Sequence, residues 1–454
     1  MVNPQPVEIT LDQAFNEMDK YQTSFARLWS YYNAQARDMA IGIATPPQLR
    51  KLLAQVGIPR IYVSAIAERL ILEGFQRGDS TTSGDDELWA WYRANSLDSQ
   101  MVNQVTDSLV YGRSYITISA PTEEDEANPL RVPDIPVIKV ESPRGLFAKI
   151  DPRTGEVLWA VRKVLDDSNQ VASATLYFPD RTEYFLRDQG QLKVAETVQH
   201  GLGVVPVVPV VRRSNSADLY GTSIITEEIQ SVTDAASRIL MNMQATSELM
   251  ATPQRVIFGA SANEIKGDTK SPLELYINSY IAIEDPQGKV SQLNAAELRN
   301  FTEAIDQLLR MAAVYTGLPP SYLSSSSDNP ASAEAIRAAE TRLVRTCESL
   351  TVQFGDAWER AMRVALLVMG RQLSLDDFRM EALWRDPSTP TVAAIADATA
   401  KKYANGAGFI TKEQARIDAG YSPEQRRRME AEDKTDPINA LNAMYEQPVS
   451  DEPS

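Results

Sequence analysis

The chain is poor in the residues that most often carry chemistry. Its 454 residues include one cysteine, Cys347, and one histidine, His200. A single cysteine excludes an internal disulfide framework and fits a reducing compartment. His200 lies in "VQHGLGVVP", and no G-x-S-x-G elbow accompanies it, so it reads as a loop histidine, not a catalytic base. Positive charge is scarce too: 45 Lys and Arg stand against 61 Asp and Glu, a net charge of −16. That is the wrong sign for a protein that grips phosphates. No apolar run is long enough to cross a bilayer, and "LGVVPVVPVV" is about half the required length and broken by prolines. "MVNPQPVEITLDQAF" lacks the features of a signal peptide, no P-loop is present, and "GLGVVP" lacks the third glycine of a dinucleotide fingerprint. The expectation is a soluble, cytosol-made protein with no catalytic, cofactor or metal residues and no membrane partner.

What is present is helix and strand in an uneven order. The length predicts roughly three structural units. The first ~110 residues read as helical, opening on a Thr10–Gln13 capping box and including "RIYVSAIAERLILEGF". From about Ser114, short β-rich runs with close turns predict an antiparallel meander: "SYITISA", "PVIKVES", "LFAKI", "EVLWAVRKVL", "VASATLYF", "TEYFL" and "QLKVAETV". A long helix follows, with Ile225, Ile229, Val232, Ala236, Ile239 and Met243 on one stripe, ended by Pro253. "QRVIFG", "YIAIED" and "KVSQL" are candidate strands of a small insert. A second long helix starts near Asn294, carries Leu298, Phe301, Ile305, Leu308, Ala312 and Tyr315, and stops at Gly317 and Pro319.

The third long helix, capped by Asn329 and Pro330, has the most regular pattern. Ile336, Leu343, Cys347, Leu350, Phe354, Ala357, Ala361, Val364 and Val368 follow a three-four alternation. Asp356–Arg360 and Glu359–Arg363 add charge pairs at helical spacing. The remainder reads as helical with a polar tail. The fold class is therefore α+β and mainly helical.

Three sharper chemistries compete with plainer readings of the same residues. Carboxylate pairs at Asp85-Asp86, Asp166-Asp167 and Asp376-Asp377 fit turns and caps better than a metal site. Cys347 falls on an apolar stripe and reads as a buried thiol. In "ITKEQARIDAGYSPEQRRRMEAE", two capped helices around Gly420 could form a helix-turn-helix with Arg426, Arg427 and Arg428 facing DNA. Glu424, Glu430, Glu432 and Asp433 cancel much of that field.

"DLYGTSIITEEIQSVTDAASRILMNMQATSELMATPQR" and "YTGLPPSYLSSSSDNPASAEAIRAAETRLV" resemble the portal proteins of tailed bacteriophages, in the long-tailed branch. The likeness is strongest from about Ala217 to Gly370. It implies a wing (residues 1–215), a first stem helix (216–251), a clip (252–293) and a second stem helix (294–316). A tunnel loop (317–329), a long helix (330–370), crown helices (371–440) and a disordered tail (441–454) would complete the chain. It also implies a ring of twelve copies at one capsid vertex, through which double-stranded DNA enters and leaves. The partners implied are a terminase motor, a head–tail adaptor, the major capsid protein and a scaffold. Synthesis would occur in the host cytoplasm. In the tunnel loop, Ser324, Ser325, Ser326 and Ser327 would then form an uncharged, weakly hydrogen-bonding collar in the lumen, with Asp328 adding repulsion beside Asn329. Without the resemblance the serine run reads as an ordinary loop. The alternatives are a head protein that forms no ring, a DNA-binding protein using the C-terminal helices, and a metal-dependent enzyme acting on DNA.

Overall fold

Stripes of apolar residues at helical spacing and short alternating runs sort the chain into two compact units. One comprises residues 1–26, 63–224 and 343–454, the other residues 27–62 and 225–342. The computed structural model describes residues 8–35, 54–78, 85–251, 255–258, 280–283, 286–287, 298–323, 333–388, 392–404, 407–421 and 423–435.

The first unit is built on strands. β2 (Arg113–Ser119), β3 (Val137–Glu141) and β9 (Val207–Val211) form a three-stranded antiparallel sheet with β2 at its centre. β4 (Leu146–Ile150), β5 (Val157–Leu165), β6 (Val171–Tyr177), β7 (Arg181–Asp188) and β8 (Gln191–Gln199) run as an antiparallel meander in chain order. One face of the meander packs on helix α1 (Leu11–Asp19), where Ala14 and Met18 meet Phe147, Trp159, Val161, Leu176 and Phe178. Its other face buries Ala160 and Tyr177 with Tyr115, Val205 and Val207. The Thr10–Gln13 capping box is formed in full.

Three strands escaped the sequence pattern. The stretch read as one helix, "RIYVSAIAERLILEGF", divides into α3 (Ile58–Ala67) and β1 (Leu72–Gln76). β1 pairs antiparallel with β12 (Glu381–Trp384), inside the region expected to be helical. The partners lie some three hundred residues apart, so neither segment signals the pairing alone. "VVPVV" forms β9, whose Pro209 sits opposite Tyr115 on an outer strand, where a missing N–H is tolerated.

A buried polar network links helix α5 (Leu97–Tyr111) to β2, β9 and the 36-residue helix α9 (Ala333–Val368). Gln104 Nε2 donates to Ser108 Oγ at 3.1 Å and to Ser114 Oγ at 3.2 Å, while Gln104 Oε1 accepts from Trp358 Nε1 at 3.4 Å. Ser108 also donates to the Val210 carbonyl at 3.3 Å. Each member has a partner, so the network specifies one packing of α9 and does not impose a desolvation penalty. On α9 the expected charge pairs gain tertiary partners, and Glu359 keeps the attraction of Arg363. Arg360 reaches Glu156, and Glu359 Oε1 accepts the Ala382 amide at 3.1 Å. For Arg360 the tertiary partner outcompetes an exposed helical pair worth a few tenths of a kcal/mol.

The second unit is built on helices. α7 (Glu227–Ala251) packs along α8 (Leu298–Thr316). Ile225, Ile229, Val232 and Ala236 are buried as the stripe predicts. Beyond them Met241 and Ala245 are buried while Ile239 and Met243 are half-buried. Tyr31 Oη donates to Asp234 at 2.7 Å, and Ser237 Oγ accepts the Val56 amide at 3.2 Å. Two short strands, β10 (Arg255–Phe258) and β11 (Tyr280–Ile283), pair in parallel. "KVSQL", Asn294 and the Asn329–Pro330 cap lie outside the described residues.

Asp107, on α5, has its carboxyl pushed up to about 6 by burial, against the opposing pull of Ser142 and Arg144. A carboxyl whose folded value exceeds its ordinary one favours folding when protonated, so its penalty appears as pH rises from about 4 to 6. Asp107→Asn should therefore stabilise the protein by up to about 3 kcal/mol above pH 6 and by little near pH 4. Urea unfolding at the two pH values checks this.

Candidate functional site

The two segments that carry the portal resemblance are held by specific contacts. The first, "DLYGTS", precedes α7. Asp218 Oδ2 accepts from the Ser214 amide at 3.2 Å, the Ser214 hydroxyl at 3.0 Å and the Thr222 hydroxyl at 2.7 Å. Desolvation works against the Asp218 carboxylate, yet these donors hold it below its usual range. The Tyr220 ring stacks on Phe147 at 5.8 Å, and its carbonyl accepts from Arg113 Nη1 at 3.0 Å. Arg113 is buried, and its guanidinium lies over Tyr21 at 4.1 Å, Phe25 at 5.2 Å, Tyr220 at 5.4 Å and Phe147 at 5.8 Å. Ring faces thus compensate a cation that would otherwise be costly to bury.

Gly221 follows Tyr220 and lies against Gly112 backbone to backbone. Both have left-handed φ, +79° and +87°, and a Cβ on Gly112 would sit 2.6 Å from the Gly221 carbonyl carbon. A Cβ on Gly221 would overlap the Gly112 oxygen. No side chain fits at either position.

The second segment, "YTGLPPSY", ends α8 and turns the chain toward α9. Thr316 Oγ1 donates to the Ala312 carbonyl at 2.8 Å and accepts from the Leu318 amide at 3.3 Å. Gly317, at φ +71°, donates its amide to Ala313 at 2.9 Å and closes the helix where the sequence places its end. Pro320–Tyr322 form a single 3-10 turn. Two contacts tie this turn to α9. Arg342 Nη1 donates to the Val314 carbonyl at 2.9 Å, and Tyr322 Oη donates to Glu340 Oε1 at 2.8 Å. Ser324, Ser325, Ser326, Ser327, Asp328 and Asn329 lie outside the described residues.

On α9, Leu343, Cys347, Leu350, Phe354 and Ala361 are all buried, whereas Ile336 is described in its backbone alone. Burial pushes the Cys347 thiol up to about 11, so it is un-ionised at neutral pH. Glu340, missing from the sequence reading, occupies the stripe position between Ile336 and Leu343 and is 9% exposed. A carboxylate breaking a three-four apolar alternation was the available signal.

The competing chemistries find other uses for their residues. His200 Nδ1 accepts the Leu202 amide at 3.4 Å, which leaves the Nε2 proton facing the Thr182 hydroxyl at 3.3 Å. Asp85 caps helix α4 (Asp86–Ala94) and pairs with Arg77. Asp166 Oδ1 accepts the Ser168 and Gln170 amides of its turn at 2.9 Å each. Asp377 closes a capping box with Ser374 and meets Arg77 at 3.2 Å. Among the described residues no group of His, Cys, Asp or Glu is placed to hold a metal. Arg426, which a helix-turn-helix would turn toward DNA, is buried against Glu413 at 2.9 Å, and Arg416 pairs with Asp433 at 2.6 Å. The C-terminal helices thus turn key basic groups onto their own acids. Among the described residues no helix is long and apolar enough to cross a membrane.

Fold and contacts therefore define two units, one β-rich and held by glycine and aromatic contacts, the other built on a pair of long helices. The family model "Phage portal protein, SPP1 Gp6-like" matches residues 12–433. The portal protein of Mycobacterium phage L5 is 47% identical over 447 residues, covering 97% of this chain and 91% of that one. The portal protein of Mycobacterium phage D29 is 47% identical over 441 residues, covering 96% and 90%. The chain belongs to the phage portal protein family. A solved chain from the virion of a native gene transfer agent particle aligns over 87% of this chain and 99% of its own. Its identity is 15% and its TM-score 0.38, and the assignment rests on the sequence matches.

Gly221→Ala should cost at least about 4 kcal/mol, because one backbone must move away from the other. Gly155→Ala, at φ +74° with open space around it, should cost only about 1 kcal/mol. Soluble yield and thermal melting of the two variants check the contrast.

Proposed function

We propose that the chain is the subunit of a ring, with twelve copies at one capsid vertex, through which double-stranded DNA is packaged and later released. The family match over residues 12–433 carries this proposal. Its role is structural, not catalytic, in the virion, after synthesis in the host cytoplasm. Residues 1–215 would be the wing, 216–251 and 294–316 the stem helices and 252–293 the clip. The tunnel loop would span 317–329, the long helix 330–370 and the crown 371–440. The terminase motor, head–tail adaptor, major capsid protein and scaffold are the proposed partners.

Two physical features support it. The stem helix α8 leaves Met311, Val314 and Tyr315 exposed at 44%, 66% and 43% on one stretch of its surface. Such side chains need a cover, and neighbouring copies in a ring supply one. The net charge of −16 opposes tight retention of a polyanion. A serine-rich loop adds short-lived neutral hydrogen bonds without the counterion release that makes Lys and Arg contacts sticky.

Native mass measurement of the purified chain should give a closed species of twelve subunits, and a monomer at micromolar concentration would contradict the ring. Duplex DNA should bind it weakly at physiological salt. Nanomolar affinity with a steep salt dependence would favour a DNA-gripping protein instead.

A further inference from the structure

We propose that Gly317, Tyr322, Glu340 and Arg342 form a bracket that fixes where the chain leaves α8 and enters α9, making them positioning residues for the conduit. This role presupposes the portal reading and goes beyond it, since that reading places these residues in a loop and a helix but assigns no contact between them.

One arm of the bracket closes the end of α8. The last carbonyls of a helix lack intrahelical donors. The Val314 carbonyl finds one in the Arg342 guanidinium, a charged donor delivered from another helix. The Arg342 stem lies across Gly317, where a Cβ would stand 2.7 Å from Arg342 Cδ. Gly317 therefore serves two needs, a left-handed helix end and a passage for Arg342.

The other arm holds the turn after it. The Tyr322 hydroxyl donates to Glu340 at 2.8 Å, and Glu340 occupies a position that the helix pattern reserves for an apolar side chain. An apolar residue there would pack without desolvating a charge, so stability alone does not account for a carboxylate. A directional link does. Glu340 and Arg342 are two residues apart on α9, and together they grip residues 314–322 at two points.

The test uses full-length protein and phage heads assembled with it, comparing wild type with Tyr322→Phe, Glu340→Leu and Glu340→Gln. Ring assembly is followed by native mass, backbone opening by hydrogen exchange at residues 317–323, and function by the fraction of DNA-filled heads. Tyr322→Phe and Glu340→Leu should still assemble, with exchange at 317–323 at least about tenfold faster and filled heads reduced at least about tenfold. Glu340→Gln keeps an oxygen for the Tyr322 hydroxyl and should stay within roughly threefold of wild type on both readouts. Wild-type exchange and filling in Tyr322→Phe would overturn the bracket, as would Glu340→Gln failing as badly as Glu340→Leu. If Glu340→Leu does not assemble, Tyr322→Phe, which lacks a single oxygen, still decides. Wild-type protein that forms no ring would instead overturn the portal reading itself.

Discussion

A long helix with apolar side chains on more than one flank is incomplete in water, and that constraint governs this molecule. α8 buries Ala312 and Ala313 in its own unit yet leaves Met311, Val314 and Tyr315 outside. Burying such side chains is worth about 1.5–3 kcal/mol each. The chain is therefore organised to be finished by its neighbours, and a closed ring finishes every copy without leaving an open end. The acidic balance then has a role that a nucleic-acid clamp could not give it, because a conduit must border a polyanion without retaining it.

The β-rich unit is held by contacts of a different kind. In the first unit, side chains are excluded at Gly112 and Gly221, and Arg113 is buried among four aromatic rings. Ring faces and backbone contact are little affected by salt and pH, unlike the surface ion pairs elsewhere. The far end of α9 is specified separately, by the Gln104–Trp358 network and a continuous apolar stripe.

Helices and the meander were legible in the sequence because their signals are local. The Thr10 capping box, the Gly317 helix end and the stripe from Leu343 to Ala361 could each be read within a few turns. β1 and β12 could not, because their pairing joins Leu72 to Trp384 and neither run alternates strongly. β9 was hidden by Pro209, which is permissible only on an outer strand. The charge pairs at Asp356–Arg360 and Glu359–Arg363 were spaced correctly, but Glu156 took Arg360, while Glu359 kept the attraction of Arg363 and added the Ala382 amide. At the candidate site, glycines and prolines marked the turn, while Tyr322–Glu340 required knowing which turn meets which helix. The break at Glu340 in an otherwise apolar stripe was the only local trace of it.

Placement of residues 324–329 in the assembled particle tests the central claim most directly. A symmetry-averaged electron-microscopy reconstruction of the purified full-length chain should show a closed ring with these residues around its central opening and α7 and α8 alongside the bore. A reconstruction with 324–329 on the outer surface, or particles with no central opening, would contradict the account.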